Sequence, residues 1–455
     1  CCVHSAIALR ECGYEAILIN NNPETVSTDY EVSDSLYFEP LTFEDINHVL
    51  EFEGISDVIL QFGGQTSINL AKELEEAGYS VLGSSADTVD QMEDRDLFYQ
   101  FLDTLNIPKV PGFSAMSKKE VKQFASRLGF PILLRPSYVI GGSGMKVLYS
   151  ERELTGYLNE EQVNYPVLIN TFLEGTEAEV DVLSDGTDVF IPGIFEHLEG
   201  TGVHSGDSLT VTPPQSLSDH VIDQITTYSK KIALNLSYKG LFNVQFAINN
   251  DSVYVIEVNP RASRTAPIMS KITNVNLVQK ATQLLLGHSL QSLNIENEHN
   301  GQPEITVKAP VFSTIKLPGV SPVLSPMMLS TGEVIGTDAD FNQALVKALK
   351  GSSLQLADFW NHQGSIFVEG TVAEAASKAW EELGYNVLTS MNLTFDEWLK
   401  TDNKAIYINF SNDSESQNAK RAVLERVHVL TRKETSNAYL DAISTSNKMR
   451  NEVLI

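Results

Sequence analysis

This chain is short of cysteine, of positive charge and of long apolar runs. Its three cysteines are Cys1, Cys2 and Cys12. Crowded thiols at one end make neither a disulfide framework nor a metal-ligand spacing, and a reduced, cytoplasmic protein is the simplest account. Lys and Arg number 32 against 59 Asp and Glu, a net charge of −27, which disfavours nucleic acid or an anionic membrane as partner. Small anionic substrates stay open, because a local cluster of arginine and metal overrules the global field. No stretch is apolar for long enough to cross a bilayer, and no signal peptide is evident. The glycine-rich loop that usually follows the first strand of a nucleotide-binding sheet is missing. So is a leading methionine: Cys1 falls in what reads as the middle of a helix, and the chain is expected to be a piece of something longer.

What is there is globular. The 455 residues, 42% hydrophobic and 20% charged, leave room for three or so domains with ample core. Helix over 4–12, strand Ala16–Asn20, helix near 42–53, strand Asp57–Gln61, helix 66–77 and a short strand at 79–83 alternate in the manner of a parallel, Rossmann-like α/β sheet. Two of its loops, at 20–30 and 61–66, follow strand ends, where open α/β sheets place ligands. The texture changes near 84 and again near 291, where a polar stretch reads as a linker. From about 351 a smaller α/β pattern closes the chain.

The rest is organised around Val253–Ser263, VYVIEVNPRAS. Tyr254 to Val258 reads as a buried strand. Glu257 and Asn259 are two apart and leave an extended segment on one face, and Arg261 follows the turn that Pro260 begins. Asn249-Asn250-Asp251-Ser252 is a good hairpin turn back to the run Leu241–Ile248, which sets Gln245 beside Glu257. Hard oxygen ligands on rigid strands with a cation next to them suit a magnesium-bound triphosphate. An isolated Glu-x-Asn is more often an ordinary hairpin with a polar tip, and the residues upstream decide between the two. Arg135 ends a strand, Pro131–Pro136, that feeds a glycine-rich flap containing Gly141, Gly142 and Gly144, whose backbone N–H groups can approach phosphate closely. Arg95 lies in MEDRDLF. Glu177, Glu179 and Asp181 alternate along one strand; one carboxylate can accept from ribose hydroxyls, and the other two read as a solvated edge. His204 has no fitting nucleophile partner and reads as a positioning or hydrogen-bonding residue.

NPETVSTDY, LYFEP, FGGQT, MEDRDLF, RPSYVIGGSGM, GVHSGDS, NVQFAI, IEVNPRASR and STGEVIG occur in this order. Over nearly its whole length the chain thereby resembles the large subunit of carbamoyl-phosphate synthase. NPETVSTDY with GVHSGDS resembles that subunit's second half, which phosphorylates carbamate. The resemblance implies a pre-ATP-grasp Rossmann-like domain at 1–83 with its front missing and an ATP-grasp domain at 84–290. A linker and connecting segment at 291–350 and a diverged methylglyoxal-synthase-like allosteric domain at 351–455 would follow. It implies ATP with Mg2+ or Mn2+, held by Gln245, Glu257 and Asn259 as metal ligands. Arg95 and Arg135 match phosphate-contacting arginines, and Gly141 and Gly142 the phosphate flap. Thr171 and Leu173 fall where the family lines the adenine pocket, Glu177 (Glu179 as fallback) where it binds ribose. Gly202, Val203, His204 and Ser205 match the segment closing over base and ribose. Arg261 matches the cation beside the transferring phosphoryl group, and Arg264 the carbamate side.

The expected activity is therefore ATP-dependent phosphorylation of carbamate to carbamoyl phosphate, serving pyrimidine or arginine biosynthesis. The expected partners are ATP, carbamate, the N-terminal half of the large chain and a glutaminase small subunit. Two rivals are carried: an ATP-grasp ligase for another carboxylate, such as a biotin carboxylase, and an ATP-binding, interface or regulatory piece without turnover. NPETVSTDY and STGEVIG argue against the first; the missing front of the Rossmann-like domain keeps the second. Where the family's allosteric domain has a Thr-His-Gly-Thr turn for phosphate, this chain reads Thr389-Ser390-Met391-Asn392-Leu393, with fewer donors for a phosphate-bearing effector.

Overall fold

A computed structural model describes every residue except 137–143, 161–162, 296–303, 314–320, 353–363, 371–373, 412–415 and 454–455. Two compact units divide the chain, and each is assembled from three stretches. The first comprises Cys1–Ser114, Glu177–Phe195 and Ser216–Gln302; the second comprises Ala115–Thr176, Glu196–Gln215 and Pro303–Ile455.

In the first unit, the front of the chain folds into two parallel strand pairs in place of one wider sheet. Ile17–Ile19 pairs with Ser35–Tyr37, and Asp57–Val58 with Ser80–Val81. Helix Phe43–Glu53 starts on Thr42, whose hydroxyl accepts from Asp45 N, and stops at the left-handed Gly54. The expected helix over 66–77 is split into Gly64–Ile68 and Ala71–Glu76. Its apolar residues Ile68, Leu70, Ala71 and Leu74 nonetheless bury together with Ile46, Leu50 and Leu60.

The hairpin around which the sequence is organised forms as expected. Lys239–Asn249 and Ser252–Asn259 pair antiparallel, and Asn250 (φ 48°) and Asp251 (φ 61°) take the two left-handed positions of a tight turn. Counting back from that turn would seat Gln245 opposite Ile256. The register instead slips by one between Gln245 and Phe246, so Ile256 is an extra residue and Gln245 faces Glu257. That bulge decides the chemistry of both faces. Val253, Val255 and Val258 join Val244, Phe246 and Ile248 in the core with helix Asp219–Asn235, while Glu257 and Asn259 leave on the face of Asn243 and Gln245. Without the extra residue, Glu257 would share the face of Val253 and Val255. Strand Thr176–Asp185 lies on the other side of Lys239–Asn249 and continues the division: Ala178, Val180 and Val182 join the core, with Glu179 and Asp181 between them in sequence. These two carboxylates are 3% and 1% exposed. They are interior groups, and the solvated edge expected for them is not what forms.

Gln61 fastens the front of the chain to this hairpin. Fully buried, its Nε2 donates to Lys239 O (2.8 Å) and Ser84 Oγ (3.1 Å), and its Oε1 accepts from Leu241 N (3.1 Å). The space it fills exists because residue 240 is glycine, at φ +103°.

Among its described residues, the second unit has three sets of paired strands. Ile132–Pro136 lies antiparallel between Val167–Thr171 and Lys146–Leu148. Phe195–Gly200, Thr210–Thr212, Ile305–Val311 and Gly332–Asp338 form an antiparallel ribbon. Asn386–Thr389, Ser365–Glu369, Lys404–Asn409 and His428–Leu430 form a parallel sheet in that order. Val307, Ala309 and helix Phe341–Ser352 bury against Ile366, Val368, Trp380 and Tyr439 of the last domain.

Two measurements test this packing. Replacing Gly240 by Ala would put a Cβ 2.2 Å from Gln61 Oε1 at a backbone angle that disfavours side chains. Gly240→Ala is expected to destabilise the chain by about 1–3 kcal/mol in urea titration. The second concerns His428, whose burial lowers its pKa from 6.5 to about 4. Between those values the unfolded chain holds the proton and the folded chain does not, so stability is lost as pH falls through the window, by up to about 3 kcal/mol. His428→Phe should remove most of that loss. Tryptophan fluorescence reads it in this domain, since all three tryptophans lie at 360, 380 and 398.

Candidate functional site

The polar face of the hairpin carries Gln245, Glu257 and Asn259, with Arg261 just past its end. Asn259 is held from both sides: its Nδ2 donates to Glu257 Oε1 (3.2 Å), and its Oδ1 accepts from Arg261 Nη2 (3.4 Å). Arg261 turns back on the strand through its own N–H to Asn259 O (2.8 Å). Its Nε donates to Gln65 Oε1 (3.2 Å), and Gln65 Nε2 donates in turn to Glu93. Gln65 is the amide of FGGQT, and Glu93 precedes Arg95 by two; neither stood among the expected site residues. Burial lowers the pKa of Arg261 while Glu257 and Glu93 oppose the shift; burial likewise raises that of Glu93, against Gln65 and Arg261. A guanidinium among two carboxylates and two amides is thus fixed in place and partly desolvated, which strengthens its pull on any anion that reaches it.

The donor set suits a hard cation. Glu257 supplies a carboxylate, and Gln245 faces it across the strand pair with an amide oxygen. Among the described residues no cluster of three or more His, Cys, Asp or Glu side chains forms a metal cage. Few protein ligands are what magnesium takes when triphosphate oxygens and water complete its shell. Arg95, expected to contact phosphate, sits at the bulge. Its Nη1 donates to Ile256 O (2.9 Å), the carbonyl of the extra residue, and its guanidinium lies over Tyr99, 5.1 Å from the ring centroid. One guanidinium nitrogen is thus committed to the backbone. Arg264 is exposed and begins helix Thr265–Thr273, which carries Pro267 in its first turn, where proline is tolerated. Glu177, at the start of its strand, is half-buried.

In the second unit, Arg135 pairs across its sheet with Leu168, and Thr171 with Ile132. Leu173 O accepts from Thr201 Oγ1 (2.6 Å), which ties the segment after Thr171 to the loop that holds Gly202, Val203, His204 and Ser205. Gly202 is left-handed (φ +91°), and an added Cβ would lie 3.1 Å from the Phe172 ring. His204 is built into its own turn: Nδ1 accepts from Gly206 N (3.0 Å), its carbonyl from Asp207 N (2.8 Å), and its N–H donates to Ser325 O (2.9 Å). Lys308, 1% exposed, donates to the carbonyls of Ser205 (3.0 Å) and Gly206 (3.4 Å) from below the loop. Gly141 and Gly142 of the expected flap lie outside the described residues. In the last domain, a cavity of about 380 Å³ opens at the C-terminal ends of strands Ser365–Glu369 and Lys404–Asn409, and the Glu369 carboxylate is part of its wall. The turn at Thr389 closes on Asn392, whose Oδ1 accepts from Thr389 N (2.8 Å), and leaves Met391 exposed.

Residues 1–91 match the model of the carbamoyl phosphate synthase preATP-grasp domain, and residues 94–293 that of the carbamoyl-phosphate synthase L chain ATP binding domain. The arginine-specific carbamoyl phosphate synthase large chain of Halalkalibacterium halodurans is 44% identical over 444 residues, 95% of this chain and 42% of that one. The chain therefore spans less than half the length of this curated relative. Among solved structures, the biotin carboxylase domain of Hydrogenobacter thermophilus 2-oxoglutarate carboxylase, in complex with MgADP, ADP and bicarbonate, superposes with a TM-score of 0.61 at 18% identity. It covers 77% of this chain and 87% of that one. N5-carboxyaminoimidazole ribonucleotide synthetase from Thermotoga maritima gives 0.58 at 14% identity, over 77% and 94%. These two show the fold.

The bulge contact is open to a direct test. Arg95→Met would leave the Ile256 carbonyl without its charged donor, and a cost of about 1–3 kcal/mol is expected by urea denaturation. Arg95→Lys should recover part of it. Equal stability of all three proteins would show that the contact contributes nothing.

Proposed function

The chain belongs to the carbamoyl-phosphate synthase large-chain family, and from that premise we propose that it phosphorylates carbamate with MgATP, giving carbamoyl phosphate and ADP. The observation that carries the reading is the placement of Gln245, Glu257, Asn259 and Arg261 together, off the apolar side of one bulged hairpin. A carbamate oxygen attacks the γ-phosphorus, the bond to the β,γ-bridging oxygen breaks, and ADP leaves with that electron pair. Glu257, Gln245 and Asn259 would hold the metal, with manganese as a substitute for magnesium. When bound, such a metal would supply Lewis-acid neutralisation of phosphate charge. Arg261 meets the charge that develops on the transferring group, already fixed by Gln65 and Asn259 and so without reorganisation. Arg264 orients carbamate from an exposed position. Carbamate is a weak and unstable nucleophile, so orientation and charge neutralisation matter more here than proton transfer. Arg95 and Glu177 are assigned to phosphate and ribose. In the second unit, Arg135, Gly141, Gly142, Thr171, Leu173 and Gly202 to Ser205 keep the nucleotide-contacting roles that the family resemblance implies.

The relative is named for arginine, which supports that pathway; a pyrimidine role is the alternative. A glutaminase subunit as the source of ammonia, and a cytoplasmic location, complete the proposal. No described helix is long and apolar enough to cross a membrane. The likeness to biotin carboxylases supports a second reading, phosphorylation of bicarbonate or another carboxylate. Formation of ATP from ADP and added carbamoyl phosphate decides between them. The wild-type chain is expected to catalyse it, and Glu257→Gln to lose about a hundred-fold or more in rate. Near-normal turnover by Glu257→Gln at saturating magnesium would remove the metal assignment. No ATP from the wild type would leave a binding or regulatory piece.

A further inference from the structure

Between Arg261 and the helix it precedes, the chain makes an unusual set of attachments to the interior. Ser263 Oγ donates to Asp181 Oδ1 (2.6 Å), and Thr265 Oγ1 donates to Asp181 Oδ2 (2.7 Å). Both oxygens of one carboxylate thus grip the residues on either side of Arg264. Ser263 Oγ also accepts from Thr265 N (3.0 Å) and Ala266 N (3.2 Å), satisfying the first amides of helix Thr265–Thr273. With its lone pairs occupied, that hydroxyl has only its proton left to give, and Asp181 Oδ1 and Thr265 Oγ1 (2.7 Å) are the acceptors within reach. A carboxylate supplies acceptors on both sides; an asparagine would present an N–H on one of them. Asn243 Nδ2 reaches Asp181 Oδ1 (3.3 Å) and Glu179 Oε2 (3.2 Å) from the neighbouring strand, so the carboxylate is itself held.

Upstream, the same loop is held by a different part of the chain. Ala262 N donates to Gln61 O (2.9 Å), and Ser84 Oγ donates to Pro260 O (2.9 Å). Pro260, Arg261, Ala262, Ser263 and Thr265 are thereby each held by hydrogen bonds, and Arg264 among them is exposed. Desolvation makes a carboxylate that is 1% exposed costly to keep, and burial with the neighbouring Glu179 raises its pKa to about 6. Packing alone would be served better by an apolar residue at this position.

We propose that Asp181 is a positioning residue for Arg264: it clamps the Ser263 and Thr265 hydroxyls and so gives an exposed guanidinium a rigid root. The kinetic half of this inference rests on the phosphoryl-transfer reading; the geometric half does not. Two proteins remove the clamp from opposite ends, Asp181→Asn and the pair Ser263→Ala with Thr265→Val, the latter leaving the buried carboxylate and its strand untouched. Hydrogen exchange on the full chain is expected to speed up about ten-fold over residues 262–266 in both, with the Lys239–Asn249 strand unchanged. In ATP formation from ADP and carbamoyl phosphate, both should lose about ten-fold in kcat with KM for ADP moved less than about two-fold. Arg264→Ala should lose at least as much, and adding Asp181→Asn to it should cost little more, because the two act as one unit. Additive losses would overturn the proposal, as would unchanged exchange at 262–266 or equal loosening of the whole strand pair. Should the wild-type chain not turn over, the activity reading fails and exchange alone decides: acceleration confined to 262–266 supports the clamp, and its absence refutes it.

Discussion

One inserted residue governs the candidate site. Strand Ser252–Asn259 must bury valines on one side and present a carboxylate and an amide on the other, and strict alternation cannot do both for this sequence. Ile256 resolves the conflict by stepping out of register, so that Val253, Val255 and Val258 all reach the core while Glu257 and Asn259 leave it. The step exposes a carbonyl, and Arg95 takes it. Edge strands are open to unwanted pairing, and here Pro108 O accepts from Val255 N (3.0 Å) just before the bulge. Helix Arg95–Thr104, the segment after it and the hairpin are therefore coupled through backbone contacts at the point where the face changes hands.

The polar side so created is not solvent-facing in the ordinary sense. Glu179, Asp181 and Asn243 are interior, and their hydrogen bonds to one another and to Ser263 and Thr265 offset their desolvation. Polarity increases along this face from a sealed network beside Thr176–Asp185 to the half-buried Gln245, Glu257, Asn259 and Arg261. A rigid, hydrogen-bonded interior next to half-buried polar groups is the arrangement preorganised electrostatics requires.

Much of this was legible in the residues. Asn250-Asp251 marks a two-residue turn because both side chains tolerate left-handed backbone, and the ordered motifs named the family. The neighbourhood of Gln245 and Glu257 was readable too, although counting from the turn gives the wrong partner. The bulge that corrects it has no local signature, since Tyr-Val-Ile-Glu-Val alternates acceptably in either register. Glu179 and Asp181 were misread as a solvated stripe because charge alternation looks the same whether the strand is an edge or lies beside Asn243. The loop at 61–66 and FGGQT marked the neighbourhood of Gln61 and Gln65, but their roles and that of Ser84 were not legible, because an amide or a hydroxyl gains meaning only from distant partners.

The Gln61 contact bears on how such proteins can be rearranged. Two family domains meet near residue 92 in sequence, yet a buried amide from the first is enclosed by Gly83, Ser84, Lys239, Gly240 and Leu241. A crossover at that boundary would join a front from one parent to a hairpin from another and leave the amide facing an alien cavity. Chimeras are then viable only when the glutamine, the serine and both glycines travel as one inherited set, so the unit of exchange is larger than the domain.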